Sequence, residues 1–129
     1  TEDIEPAIKT TLQKFEHQSG IHTELSVEGQ GLPLAPDVQI QVMHVIQEAL
    51  SNIRKHSKAS IVRVEVAQSP KWTFRVIDDG IGFSTELNTV DSTHVGMSIM
   101  QERANKIGAK LELSSEALAG TCISLTLPT

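Results

Sequence analysis

Gln47-Glu48-Ala49-Leu50-Ser51-Asn52-Ile53-Arg54-Lys55-His56 closes a long stretch with helical periodicity. Val42, Ile46, Ala49, Leu50 and Ile53 fall on one apolar stripe of that helix. At about 100° per residue, Glu48, Asn52 and Lys55 share one narrow sector beside the stripe. The polar sector therefore lies at the rim of a core rather than in open solvent. A carboxylate, an amide oxygen and a cation at such a rim can hold a metal–phosphate group. The same residues also have an ordinary reading. Glu and Asn are common on exposed helix faces, and Lys55 and His56 complement the helix dipole at its C-terminal end.

Pro36-Asp37 opens this helix, which the pattern carries to His56 or Ser57. Upstream, Asp3 can cap a first helix with Pro6 in its opening turn. Ile4, Ile8, Leu12 and Phe15 recur at helical spacing, and Ser19-Gly20 ends the run. Ile21, Thr23, Leu25 and Val27 alternate as a strand, and Gly29 to Leu34 reads as a connector. Downstream, Val62, Val64 and Val66 share one face of a strand with Arg63 and Glu65 on the other. Ser69-Pro70-Lys71 turns the chain into a strand through Trp72, Phe74 and Val76 that ends at Asp78. Residues 79–94 are polar and aperiodic and predict a mobile loop. A helix is expected from Val95 to Ile107, closed by Gly108. Two further strands follow, through Ala109, Leu111 and Leu113 and through Ile123, Leu125 and Leu127.

Every strand alternates, so the sheet buries one face only. That excludes a doubly wound sheet covered on both sides. The expected fold class is α+β, a two-layer sandwich with three helices on one face of a five-stranded, mixed but mainly antiparallel sheet. The 129 residues suit one domain, 1–129, with one core. An apolar fraction of 39% argues for a globular fold. A net charge of −5, with no basic cluster beyond Arg54-Lys55, counts against nucleic acid or anionic membrane as a partner. Cys122 is the single cysteine, so no internal disulfide forms, which suits a reducing compartment. No apolar run approaches a membrane span. The chain starts at Thr1 and is expected to be a piece of a longer protein.

Three further motifs complete a possible site. Asp78 ends its strand on the inward face, where a carboxylate needs a hydrogen-bond donor. Gly80 and Gly82 let the backbone turn sharply and lie against a flat ring. Asp79 should point the opposite way and contact no ligand. His94-Val95-Gly96-Met97 opens the third helix, where main-chain N–H groups favour anions. Gly120-Thr121 brings a hydroxyl to the inward face, close enough to join a network at Asp78. Each piece also has an ordinary structural reading as a turn, a junction or a bend.

In this order the motifs resemble the ATP-binding catalytic domain of sensor histidine kinases, the Bergerat fold shared with DNA gyrase B, MutL and Hsp-type chaperones. The likeness covers nearly the whole chain. Glu48 to Asn52 with Lys55-His56 resembles the N box, and Asp78-x-Gly80-x-Gly82 the G1 box. His94-x-Gly96-Met97 with Met100-x-Glu102-Arg103-Ala104 is similar to the shortened G2 region of the nitrate/nitrite-sensor (Nar-type) subfamily. The resemblance implies Mg-ATP as cofactor, with Asn52 coordinating magnesium and Asp78 binding the adenine amine. It implies Gly80 and Gly82 in the adenine pocket, Thr121 supporting Asp78, and Lys55, His56, Gly96 and Met97 around the phosphates. Glu48 is implied as the base, or as a residue that positions metal or water.

None of the five histidines is followed by Asp or Glu, as the phosphoacceptor of this subfamily would be. The implied partners are therefore a histidine-bearing dimerisation domain of the parent and a downstream response regulator. The parent is expected to be dimeric and anchored in a bacterial inner membrane, with this domain in the cytoplasm. Alternatives are a stand-alone anti-sigma-factor serine kinase of the same fold, a gyrase-like ATPase, and a nucleotide-binding module without transfer.

Overall fold

The apolar periodicities become two layers. The computed structural model describes residues 4–29, 34–56, 58–68, 71–80, 90–116 and 120–128. In chain order the elements are α1 (Ile4–Ser19), β1 (His22–Glu28), α2 (Pro36–His56), β2 (Ile61–Ala67), β3 (Thr73–Asp78), α3 (Val90–Lys106), β4 (Lys110–Glu116) and β5 (Gly120–Thr126). The sheet order is β1-β2-β3-β5-β4. β1 and β2 run parallel because α2 carries the chain back over the sheet between them. The other three pairings are antiparallel. The β4–β5 hairpin lays β5 against β3 and leaves β4 at the edge. This is the expected α+β sandwich with its mixed, mainly antiparallel sheet.

One face of the sheet meets the helices. Val62, Val64 and Val66 of β2, Phe74 and Val76 of β3, and Ile123 and Leu125 of β5 are all buried. They pack with Ile8, Leu12 and Phe15 of α1, the stripe Val42, Ile46, Ala49, Leu50 and Ile53 of α2, and Met100 and Ala104 of α3 in one cluster. At about 25 cal/mol per Å² of apolar surface, this cluster is the main favourable term in folding. On the opposite face Arg63 and Arg75 are exposed, and the Arg63 Nε lies 3.4 Å from Glu24 Oε1. Such a surface pair adds little to stability. Trp72 precedes β3 rather than beginning it, and its ring stacks on Phe74 with centroids 5.5 Å apart.

The third helix departs from the expected span. It begins at Val90, not Val95. Asp91, Ser92 and Thr93 read as loop formers, but short polar residues are equally suited to a helix's first turn. The mobile-loop reading of 79–94 therefore fails over 90–94, and its stretch 81–89 lies outside the described residues. The other end follows expectation. Gly108 adopts φ +66°, its N–H donates to Asn105 O at 3.2 Å, and Ala109 N–H donates to Ala104 O at 2.9 Å. These two bonds form a Schellman cap, which requires a left-handed residue and so favours glycine.

Candidate functional site

Inward alternation along β3 drives Asp78 into the protein. Its two cross-strand neighbours are Val62 on β2 and Thr121 on β5. Asp78 is 4% exposed. Its Oδ1 accepts the Gly80 N–H at 2.7 Å. Its Oδ2 is buried, and none of the described residues donates to it. Burial pushes the Asp78 carboxyl above the usual carboxylate range. The Gly80 N–H pulls it down, and the adjacent Asp79 charge adds to the rise. A buried carboxylate oxygen without a donor is costly to the protein alone. The arrangement is suited to a ligand that brings an N–H of its own.

The β5 side of Asp78 is closed by backbone. Gly120 is buried, with φ +87°. A Cβ added there would collide with the Asp78 carbonyl oxygen. Thr121 is 4% exposed and stands directly opposite Asp78, as the strand alternation implied. Gly80 is buried one step past Asp79. Gly82 lies outside the described residues.

The α2 contribution is graded by depth. Asn52 is 2% exposed, and its Nδ2 finds no acceptor among the described residues. Glu48, one turn earlier, is half-buried, and Lys55 is exposed. The expected rim position thus holds for Glu48, Lys55 at the last turn lies in solvent, and Asn52 sits deeper because α3 and β3 both pack against α2. His56 is the last residue of α2, and its side chain lies outside the described set. Among the described residues no group of three or more His, Cys, Asp or Glu side chains could cage a metal. A cation here would draw its other ligands from phosphate and water, as magnesium commonly does.

α3 does not begin where the anion argument needed it to. With the helix starting at Val90, Gly96 lies in the second turn and not at the N-terminus. The reading of Gly96 as a free N–H donor at a helix start is corrected accordingly, because N–H groups beyond the first turn are bonded within the helix. Met97 is half-buried and packs against the core.

Two features escaped sequence reasoning. Asp79 points outward as expected, yet it is bonded to the residues leading into β2. Gly120 is more than a bend, since the Asp78 backbone occupies the space a side chain would need. Neither leaves a sequence signal, because both depend on which strands are neighbours.

Fold and site together define a two-layer binding domain whose buried strand-end carboxylate awaits a donor. Residues 37–129 match the family model of histidine kinase-, DNA gyrase B- and HSP90-like ATPases. The chain belongs to this family, and membership implies that it binds ATP. It is 33% identical over 124 residues to the signal transduction histidine-protein kinase/phosphatase DegS of Brevibacillus brevis. It is 31% identical over 126 residues to the sensor histidine kinase LiaS of Bacillus subtilis, and likewise to the nitrate/nitrite sensor NarX of Escherichia coli. Those matches cover 95%, 97% and 95% of this chain but only 32%, 34% and 20% of the relatives. The histidine kinase domain of the Erythrobacter litoralis EL346 blue-light activated histidine kinase has the same fold, with a TM-score of 0.79 at 17% identity. That alignment covers 98% of this chain and 61% of the other.

Proposed function

We propose that this chain is the ATP-binding catalytic part of a longer sensor histidine kinase. In this reading it donates the γ-phosphoryl group of Mg-ATP to a histidine on a separate dimerisation domain of the same parent. The observation that carries the reading is the buried Oδ2 of Asp78, which has no donor among the described residues. The exocyclic amine of adenine supplies the missing N–H. Gly80 and Gly82 let the backbone lie against the ring, and Thr121, opposite Asp78, supports the carboxylate.

Asn52 is the candidate magnesium ligand. Its amide is buried on the helix face shared with Glu48, and its terminal oxygen and nitrogen are interchangeable by a flip of the side chain. Magnesium, when bound, supplies charge neutralisation on the phosphates. Glu48 orients the attacking group or a metal-bound water. Lys55 and His56, at the C-terminal end of α2, are the candidate phosphate contacts, and Met97 borders the site from α3. The imidazole nitrogen of the acceptor forms a bond to phosphorus as the bond to the ADP oxygen breaks. Positioning and electrostatics carry most of the catalysis.

The parent's partners in this reading are its own acceptor domain and a downstream response regulator. The parent is dimeric and membrane-anchored, with this domain on the cytoplasmic side. Among the described residues no helix is long and apolar enough to cross a membrane. Comparable identity to DegS, LiaS and NarX supports reading this region as a catalytic part common to them, and in this reading signal specificity resides elsewhere in the parent.

Titrating ATP and ADP into the chain, with and without magnesium, tests the binding half. Supplying an acceptor domain and following transfer of labelled phosphate tests the other. Binding without transfer to any histidine-bearing acceptor domain would reduce the reading to a nucleotide-binding module.

A further inference from the structure

Asp79 is largely exposed and faces away from the buried site, yet it is bonded on every polar atom that can reach β2. Its Oδ1 accepts the Ser60 N–H at 2.8 Å and the Ile61 N–H at 3.0 Å. Its Oδ2 accepts the Ser60 hydroxyl at 2.6 Å. Its own N–H donates to the Ile61 carbonyl at 3.4 Å. The Ser60 carbonyl in turn accepts the His22 N–H at 3.2 Å. The Asp79 carboxylate thus ties the end of β3 to the residues that enter β2, and the Ser60 carbonyl bonds the start of β1.

Strand ends fray where the ladder runs out. The last β2–β3 pair is Val62 with Asp78. Without a further tie, Asp78 would sit on a terminal pair with a soft backbone. Asp79 supplies that tie one residue beyond the ladder, with a carboxylate acting as the acceptor for two strand N–H groups. Asp79 also lies between Asp78 and Gly80, so holding it fixes both flanking peptide bonds. The Gly80 N–H is thereby directed back to Asp78 Oδ1, which leaves Oδ2 as the oxygen offered to a ligand. On the β5 side Gly120 closes against the Asp78 carbonyl. The carboxylate is therefore located from both sides.

We infer that Asp79 is a positioning residue for adenine recognition: by clamping Ser60 and Ile61 it holds Asp78 with Oδ2 presented to the exocyclic amine. The inference rests on the ATP reading above, and its readout is base selectivity rather than binding alone. Inosine triphosphate keeps the triphosphate but places a carbonyl where adenine has its amine. A site built around that amine disfavours the analogue strongly, because Oδ2 is then left facing another acceptor.

The test measures ATP and inosine triphosphate affinity in the 129-residue chain and in Asp79→Ala, Asp79→Asn and Ser60→Ala. Thermal unfolding establishes that each variant is folded. Wild type should prefer ATP by at least about tenfold. Asp79→Ala should lose about tenfold in ATP affinity and most of that preference, with inosine triphosphate affinity nearly unchanged. Asp79→Asn retains an oxygen for both N–H groups and can donate to the Ser60 hydroxyl, so it should restore the preference. Ser60→Ala breaks only the hydroxyl bond and should lower the preference about threefold. It carries the test alone if Asp79→Ala does not fold, and an unchanged preference in it then overturns the inference. A folded Asp79→Ala with wild-type preference overturns it too. So does an Asp79→Asn as unselective as the alanine variant, since charge rather than the clamp would then be acting. A wild type that binds no ATP removes the nucleotide reading itself, and the positioning role with it.

Discussion

Asp78→Asn separates ligand recognition from folding. Asp78 is 4% exposed and its Oδ2 has no donor among the described residues, while Oδ1 accepts the Gly80 N–H. Asparagine keeps an oxygen for Gly80 and replaces Oδ2 with an NH₂ group. A ligand amine then meets a donor instead of an acceptor. A hydrogen bond to a charged group contributes about 1.5–3 kcal/mol net. At about 1.4 kcal/mol per tenfold, ATP affinity should fall about 10- to 150-fold. Stability should move the other way. The Asp78 carboxyl titrates above its usual range because burial disfavours the charged form. Below the ordinary carboxylate pKa of about 3.9 both folded and unfolded chains are protonated here, and the residue carries no charge penalty. As pH rises from there through the raised folded value, the unfolded chain loses its proton first, so wild-type stability declines. Asparagine has no such penalty. Urea unfolding at several pH values should therefore show the variant gaining on wild type between pH 4 and pH 7. Calorimetry should show it losing ATP. A folded variant with affinity within threefold of wild type would refute the adenine-amine assignment. A stability difference that moves against the variant over the same pH range would refute the account of the buried charge.

Other substitutions test other links. Gly120→Ala combines a left-handed backbone with a collision against the Asp78 carbonyl. It should cost about 2 kcal/mol or more in urea unfolding, and a loss under 0.5 kcal/mol would contradict the close approach. Asn52→Ala should remove the difference in ATP affinity with and without magnesium and abolish transfer to a supplied acceptor, and unchanged transfer would exclude Asn52 as a metal ligand. The Asp79 carboxyl is held below its usual range, first by the Ser60 hydroxyl and then by the Ile61 N–H. Its contribution is complete above the ordinary carboxylate pKa and is lost as pH falls through the lowered folded value. The stability gap between wild type and Asp79→Ala should therefore close on acidification, and a gap independent of pH would show that the bonds do not depend on ionisation. Ile8→Ala empties a fully buried position between the layers and should cost about 2–5 kcal/mol.

Much of the architecture was legible in local pattern, because helix and strand periods are properties of neighbouring residues. The stripe from Val42 to Ile53 marked α2, and the alternations through Val62, Val64 and Val66 and through Phe74 and Val76 marked strands with one buried face. One-sided alternation was enough to select a two-layer sandwich. The same parity put Asp78 and Thr121 inward before any register was known. Pattern failed where polar residues suit two roles. Asp91 to Thr93 read as loop, yet they form the first turn of α3. Gly96 consequently lost its place at a helix N-terminus.

Local sequence thus determined which residues face inward and which motifs could touch a nucleotide. Tertiary structure alone decided who stands beside whom. The order β1-β2-β3-β5-β4 brings Thr121 opposite Asp78, sets Gly120 against its carbonyl, and carries Asp79 across to Ser60, 19 residues away in sequence. The packing of α3 on α2 sinks Asn52 below the rim. Strand register is non-local, and a slip of one residue exchanges the two faces of a strand. Contacts of this kind follow from the pairing of distant segments, which no local period encodes.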